Sequence, residues 1–123
     1  MFDASVQSSG GRIPRRDVES VTRLVEAMVA SSFATCPGEI RALSRGNANA
    51  AFARQVAIYL SHTCLGFNYT AAGRLFGRDR TTAAHACRTV EDKREDPGVD
   101  AVLDCLERAI GVWTGQTERD AGR

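Results

Sequence analysis

Apolar residues recur at helical spacing along most of this chain. In the segment 17–33 the recurring positions form one stripe, made of Val18, Val21, Val25, Met28 and Val29. Spacings of three and four residues place side chains on one face of an amphipathic helix. Asp17 is a residue type that commonly caps a helix N-terminus. The pattern therefore predicts a first helix over about residues 17–33.

Two further helices are predicted before residue 66. Residues 36–43 carry Pro37 where proline suits the first turn of a short helix. Residues 44–49 have the composition of a loop. Residues 50–65 again present one face, formed by Phe52, Val56, Tyr59, Leu60 and Thr63. Gly66 is expected to end that helix.

Three more helices are predicted after Gly66. A short helix spans about residues 70–76, and a longer one spans 79–94 with Asp79 as its N-cap, ended by Pro97-Gly98. The last apolar stripe consists of Val99, Val102, Leu103, Leu106, Ile110 and Trp113. No segment has a convincing strand pattern. The sequence therefore predicts an all-α protein with about six helices.

The helices 70–76 and 79–94, joined by a turn at Gly77, form a candidate helix-turn-helix at about residues 69–94. At 100° per residue, Ala83, Cys87 and Val90 share one side of the second helix and are expected to face the core. The opposite side is basic and rich in hydroxyls near its N-terminus, with Arg78, Thr81, His85, Arg88, Thr89 and Asp92. That end of a recognition helix approaches the bases, and a helix N-terminus attracts phosphate.

Charge is unevenly distributed, although the formal net charge is only +1. Residues 44–94 carry eight Lys or Arg against three Asp or Glu, a balance of +5, and residues 95–123 carry three against seven, a balance of −4. A basic middle suits a polyanionic partner, and solvated helix faces explain it equally well. Arg74 and the acidic run 91–96 are expected to be solvated.

Length and residue spacing predict a single domain and argue against a membrane-spanning, secreted or zinc-binding protein. A chain of 123 residues with 43% hydrophobic positions predicts one helical domain at 17–113, with flexible tails at 1–16 and 114–123. No membrane span or signal peptide is visible. In His62-x-Cys64 and His85-x-Cys87 the two side chains point about 200° apart on a helix, so zinc binding is not expected. No metal or other cofactor is predicted.

Residues 53–96 closely resemble the C-terminal DNA-binding domain of the bacterial replication initiator DnaA. The family signature is approximately G-G-R-D-H-T-T-V-x-H-A, preceded by an A-R-Q-hydrophobic helix. The matching residues here are Arg54-Gln55, Gly77-Arg78-Asp79-Arg80-Thr81-Thr82 and His85-Ala86-Cys87-Arg88. A weaker similarity extends over about residues 17–110. The resemblance implies the family's all-α fold, similar to that of the Trp repressor, and double-stranded DNA as the partner.

The resemblance also implies a set of DNA contacts. Asp79, Arg80, Thr81 and Thr82 match base-reading positions, and their chemistry suits amino groups, guanine acceptors and thymine methyls. Tyr69, which could equally belong to the core, and Thr70 match positions that touch thymine methyls. Arg45 lies near the arginine that enters the minor groove in the family. The positions that contact the phosphate backbone or support such contacts are Arg54, Gln55, His62, Arg78, His85 and Thr89. Arg88, on the same face, is expected to reach phosphate as well.

The chain departs from the family pattern in several ways. Arg80 stands where many members have His, and Phe76 stands where the first glycine of the doubled pair would be. The loop 44–50 offers only one arginine, Arg45. These changes argue against assuming the family's usual box sequence. The chain also has no GxxxxGK[ST] phosphate loop, so we expect a free-standing DNA-binding domain that binds no nucleotide.

Three functions are compatible with these features. The first is a sequence-specific DNA-binding transcriptional regulator, cytoplasmic and nucleoid-associated. The second is a modulator of replication initiation that competes for the initiator's boxes. The third is a protein-interaction module that has lost DNA binding, suggested by the depleted loop and the acidic stretch 95–107. An enzyme is not expected, because no nucleophile–base set is visible. Monomer and homodimer both stay open.

Overall fold

The computed structural model describes residues 15–35, 37–41 and 48–115, and within these ranges it contains six helices and no strand. The helices are α1 (Arg15–Ser32), α2 (Pro37–Arg41), α3 (Ala48–Thr63), α4 (Tyr69–Arg74), α5 (Arg80–Lys93) and α6 (Pro97–Thr114). The predicted all-α class with about six helices is confirmed. Within the same ranges, no helix combines the length and the apolar character that crossing a bilayer requires.

The helix boundaries differ from the predicted ones at two informative places. α1 begins at Arg15, two residues before the predicted N-cap. Pro97 and Gly98 open α6, whereas the sequence pattern assigned them to the end of the preceding helix. Asp96 is the N-cap of α6, and its Oδ1 accepts a 2.8 Å hydrogen bond from the Gly98 N–H. Proline suits this first turn because its missing N–H is not needed there.

α3 lies at the centre of the fold and packs against α1, α2, α4 and α5, while α6 packs against α1. Its residues 56–61 are all buried, which is why it takes neighbours on several sides. The other large apolar side chains that are fully buried in the core are Val25, Val29, Ile40, Phe76, Val90, Leu103 and Ile110. Burying each such side chain contributes about 1.5–3 kcal/mol.

The predicted apolar stripe of α6 closes the core along its middle. Leu103, Leu106 and Ile110 are buried, and Val99 and Val102 pack against the core as half-buried residues. Trp113, at the C-terminal end of the stripe, remains 43% exposed. The stripe is therefore a core face for most of its length, and its last turn lies at the surface.

Arg94 ties the end of α5 to α6, although the sequence suggested that its neighbourhood is solvated. Its side chain is only 16% exposed and forms ion pairs with Asp100 at 2.6 Å, Asp104 at 2.7 Å and Glu107 at 3.0 Å. Burial alone lowers the pKa of Arg94, but hydrogen bonds to Asp100 and Glu107 outweigh it and raise that pKa. The expectation of a fully solvated 91–96 run was therefore wrong at Arg94.

Tyr59 extends this network into the centre of the fold. Its hydroxyl donates to Glu91 Oε2 at 2.8 Å and accepts from Arg94 Nη1 at 3.1 Å. Burial and the bond to Glu91 raise the pKa of Tyr59 to about 12. The hydroxyl therefore stays protonated at neutral pH and links α3 to both Glu91 and Arg94. This network fixes the C-terminal end of α5 against α3 and α6.

Candidate nucleic-acid interface

α4 and α5 form a helix-turn-helix whose turn lies against Gly73. A Cβ atom added to Gly73 would lie 2.8 Å from the carbonyl oxygen of Arg78 and 2.9 Å from that of Asp79. The Arg78 N–H donates to the Gly73 carbonyl at 2.9 Å. Gly77 adopts a positive φ of 70°, as predicted for the turn, and Phe76 anchors the turn in the core. This contact sets the position of α5 relative to α4.

Both helices of the motif begin at side-chain caps. Asn68 Oδ1 accepts from the Ala71 N–H at 2.8 Å at the start of α4. Asp79 Oδ1 accepts from the Thr82 N–H at 2.8 Å at the start of α5, as the sequence predicted. The backbone and side-chain hydrogen bonds of Thr82 lower the pKa of Asp79. One carboxylate oxygen of Asp79 is thus occupied by the cap, while the side chain stays at the surface.

The two sides of α5 have the predicted characters. Ala83, Cys87 and Val90 are buried, and Ala86 joins them in the core. The outward side chains at and after the helix start are exposed or half-buried: Arg80, Thr81, Thr82, His85, Arg88 and Thr89. Over residues 66–90 the chain carries four arginines and one acid, Asp79. The outer face of the motif is therefore cationic.

His85 and Thr89 lie one turn apart on this outer face. His85 Nε2 and Thr89 Oγ1 are 3.5 Å apart, at the limit of a hydrogen bond. His85 and Arg88 are both exposed, and Thr89 is half-buried. Their donors are therefore available to a ligand that lies along α5.

α3 and the start of α4 form a second side of the candidate surface. His62 Nδ1 is 2.7 Å from the Phe67 carbonyl oxygen. A carbonyl only accepts, so Nδ1 carries a proton, and Nε2 donates to a phosphate only when the ring is doubly protonated. The His62 ring stacks on Tyr69 at a centroid distance of 4.4 Å. Both rings are half-buried, as is Gln55, which lies about two helical turns before His62. Thr70 is exposed.

A shallow cleft of about 280 Å³ lies between α3 and α5. His62, Tyr69, Arg88 and Glu91 are among the side chains that line it. Its lining combines aromatic rings and the cation of Arg88 with the carboxylate of Glu91. The cationic part of the surface thus ends near Glu91.

Arg54 is mostly buried, unlike the exposed residues of α5. Only 8% of the residue is exposed, and its guanidinium donates to the carbonyl oxygens of Ile40 at 2.6 Å and Glu39 at 3.0 Å. Burial, and after it the charge of Arg78, lower the pKa of Arg54. Arg54 therefore holds α2 on α3, which fits the supporting role, one of the two roles that the resemblance left open for it. Arg78 is half-buried and donates to the Phe76 carbonyl at 3.0 Å.

Arg45, the expected minor-groove residue, lies outside the described residues. In the described ranges, no three His, Cys, Asp or Glu side chains are grouped so that they could hold a metal ion. Sequence patterns did not reveal the buried role of Arg54, because its partners are 14 and 15 positions away.

Comparison with known protein families gives a match over the region that contains the helix-turn-helix. The pattern of the bacterial DnaA protein helix-turn-helix family matches residues 22–90, more than half of the chain. The matched region runs from α1 to near the end of α5. It includes both helices of the motif and the cationic face.

Individual relatives agree with the family match. The chromosomal replication initiator protein DnaA of Lachnoclostridium phytofermentans is 34% identical over 89 residues, which is 71% of this chain and 19% of the relative. Chromosomal replication initiator protein DnaA 2 of Chlamydia muridarum is 35% identical over 92 residues, 75% of this chain and 19% of the relative. DnaA of Sphingopyxis alaskensis is 42% identical over 59 residues, 46% of this chain and 13% of the relative. The similarity thus spans about a fifth of the length of the first two relatives.

Proposed function

The chain belongs to the bacterial DnaA helix-turn-helix family, and on that premise we propose that it binds double-stranded DNA in a sequence-specific manner. The single observation that supports this most strongly is the outer face of α5. That face presents charged and hydroxyl side chains from the first turn onward, on a helix held by Gly73 and capped by Asp79. In a helix-turn-helix protein, the first residues of the second helix approach base edges in the major groove.

The proposed base contacts come from the start of α5. Arg80 is exposed and its fork of donors suits the two acceptors of guanine, while the Thr81 methyl suits a thymine methyl. Asp79 keeps one carboxylate oxygen outside its cap bond, which suits an amino group of cytosine or adenine. Thr82 lies at the edge of the same face. Thr70 and the half-buried Tyr69 of α4 would flank these residues at thymine methyls.

The proposed phosphate contacts lie on both sides of that helix start. His85, Arg88 and Thr89 would follow the backbone along α5, and Gln55 and His62 would meet it from α3. Arg78 and Arg54 would support the surface, since both bond to backbone carbonyls. We place Arg45 in the minor groove on the family pattern alone. Neutralisation of about four to six phosphates by cationic side chains gives a slope of log affinity against log salt concentration of roughly −4 to −5.

The first biological role that we propose is that of a transcriptional regulator. A second role is modulation of replication initiation by competition for initiator boxes. The names of the relatives favour this second role, because they are chromosomal replication initiators. The two roles differ in one property, which is whether the target sequence is shared with the initiator.

The experiment that tests this proposal is selection of bound duplexes from a random pool, followed by affinity measurements at two salt concentrations. A motif that resembles the initiator's box supports the replication role. A defined but different motif supports a regulator in which Arg80 has changed the preferred bases. If no motif is enriched and binding is weak even at low salt, the DNA-binding proposal fails, and a protein partner becomes the alternative.

A further inference from the structure

The first helix of the motif carries a cation for which the structure gives no internal role. α4 buries Ala72 and Gly73 against the rest of the motif and leaves Thr70 and Arg74 exposed. Residues four apart lie on the same helix face. Helical side chains also lean toward the N-terminus, so the Arg74 side chain extends over the turn that contains Thr70.

In the part of the chain that the structure describes, Arg74 has no partner, a property that it shares with Arg80 and Arg88 of α5 and that separates it from the remaining arginines between residues 54 and 94. Arg54 and Arg78 donate to backbone carbonyls, and Arg94 forms three ion pairs. Among the described residues, the side chain of Arg74 makes no ion pair or hydrogen bond. The only acid in residues 66–90 is Asp79, whose carboxylate caps α5. Arg74 is therefore an uncompensated positive charge beside the proposed surface.

We propose that Arg74 contacts a DNA phosphate on the strand that α4 crosses, next to Thr70. This inference rests on the proposed DNA-binding function and adds to it a contact on the first helix of the motif. In helix-turn-helix complexes the first helix crosses the backbone while the second occupies the groove. A cation on the exposed side of the first helix thus meets phosphate and contributes to affinity for every sequence alike.

The test compares Arg74→Ala with Arg108→Ala in the full chain. Arg108 is also exposed and lies on α6, so both variants lose one charge and change the net charge equally. Affinities for the selected duplex and for a scrambled duplex are measured between about 0.1 M and 0.4 M salt. Arg74→Lys is included as the conservative variant, and circular dichroism establishes that each variant is folded.

The proposal expects the salt slope of Arg74→Ala to be shallower than that of the wild type by about 0.9. Its affinity deficit then grows about 3.5-fold as salt falls from 0.4 M to 0.1 M, equally for both duplexes. Arg74→Lys keeps most of the slope, and Arg108→Ala matches the wild type. If Arg74→Ala behaves like Arg108→Ala while the wild type binds DNA, the Arg74 contact is overturned and the proposed function stands. If the wild type shows no salt-dependent binding, both are overturned.

Discussion

Replacing Gly73 with alanine is the most informative perturbation of the motif. The added Cβ would lie 2.8 Å from the Arg78 carbonyl oxygen, 2.9 Å from that of Asp79 and 3.2 Å from the Ala83 Cβ. Carbon–oxygen contacts of this kind normally lie at about 3.3–3.6 Å. Both oxygens belong to the backbone, so no side-chain rotation relieves the overlap. The turn and the start of α5 must move by several tenths of an ångström.

The magnitude follows from two opposing terms. Overpacking of a close contact costs about 1–3 kcal/mol. Alanine in a helix gains about 0.5–1 kcal/mol over glycine. The two terms leave a decrease of up to about 2.5 kcal/mol in the free energy of unfolding of Gly73→Ala, and its midpoint of about 1.2 kcal/mol is several degrees in Tm for a domain of this size. Gly38 is a matched control, because a Cβ added there meets no atom within 4 Å.

The assay is urea denaturation of both variants, followed by DNA binding at a temperature where each is folded. Gly38→Ala should be as stable as the wild type or slightly more stable. Gly73→Ala should be less stable and should also bind DNA more weakly when folded, because Arg80 and Thr81 are displaced from α4. Equal stability and equal binding of the two variants would refute the close contact between α4 and the turn.

Three further predictions concern the cap, the phosphate contacts and the α5–α6 link. Asp79→Asn should keep the Tm near that of the wild type because asparagine also caps helices, whereas Asp79→Ala should lower it. The folded pKa of Asp79 lies below its unfolded pKa, so the wild-type cap contribution is present above about pH 4 and is lost as the pH falls through the lowered pKa. Thermal unfolding of the wild type and of Asp79→Asn at pH 7 and pH 3 checks this. If Asp79→Asn loses as much stability in acid as the wild type does, the cap explanation is contradicted. His85→Ala should weaken binding to selected and scrambled duplexes by the same factor, and a loss confined to the selected duplex would instead make His85 a base contact. Arg94→Met should lower the free energy of unfolding by about 1–2 kcal/mol, because three carboxylates lose their shared partner, and solvent screens the two that are 44% and 51% exposed. Lys93→Met, at an exposed neighbouring position, should change it little; equal effects in urea denaturation would rule out the network.

Much of the fold could be predicted because it depends on local patterns. Helical periodicity gave the order of the helices, and cap chemistry placed the start of α5 at Asp79. The turn at Gly77 followed from the need for a positive φ. The two sides of α5 followed from 100° steps along one helix. Each of these features involves residues within four positions of one another.

The features that could not be predicted depend on distant partners. Arg54 bonds to carbonyls 14 and 15 positions away, and Arg94 meets Tyr59 across 35 positions. A local pattern treats both as ordinary surface charges. Pro97-Gly98 was misassigned for a different reason, because the same pair suits the end of one helix and the start of the next. The base and phosphate contacts themselves remain predictions.

The measurement that tests the central claim most directly is selection from a random duplex pool with the wild type and Arg80→Ala side by side. The affinity of each protein is also measured for a duplex that carries the motif selected by the wild type. If the start of α5 contacts bases, Arg80→Ala loses preference at one or two adjacent positions, keeps the rest of the motif, and binds about 1–3 kcal/mol more weakly. The same motif and the same affinity for both proteins would contradict base contact by α5.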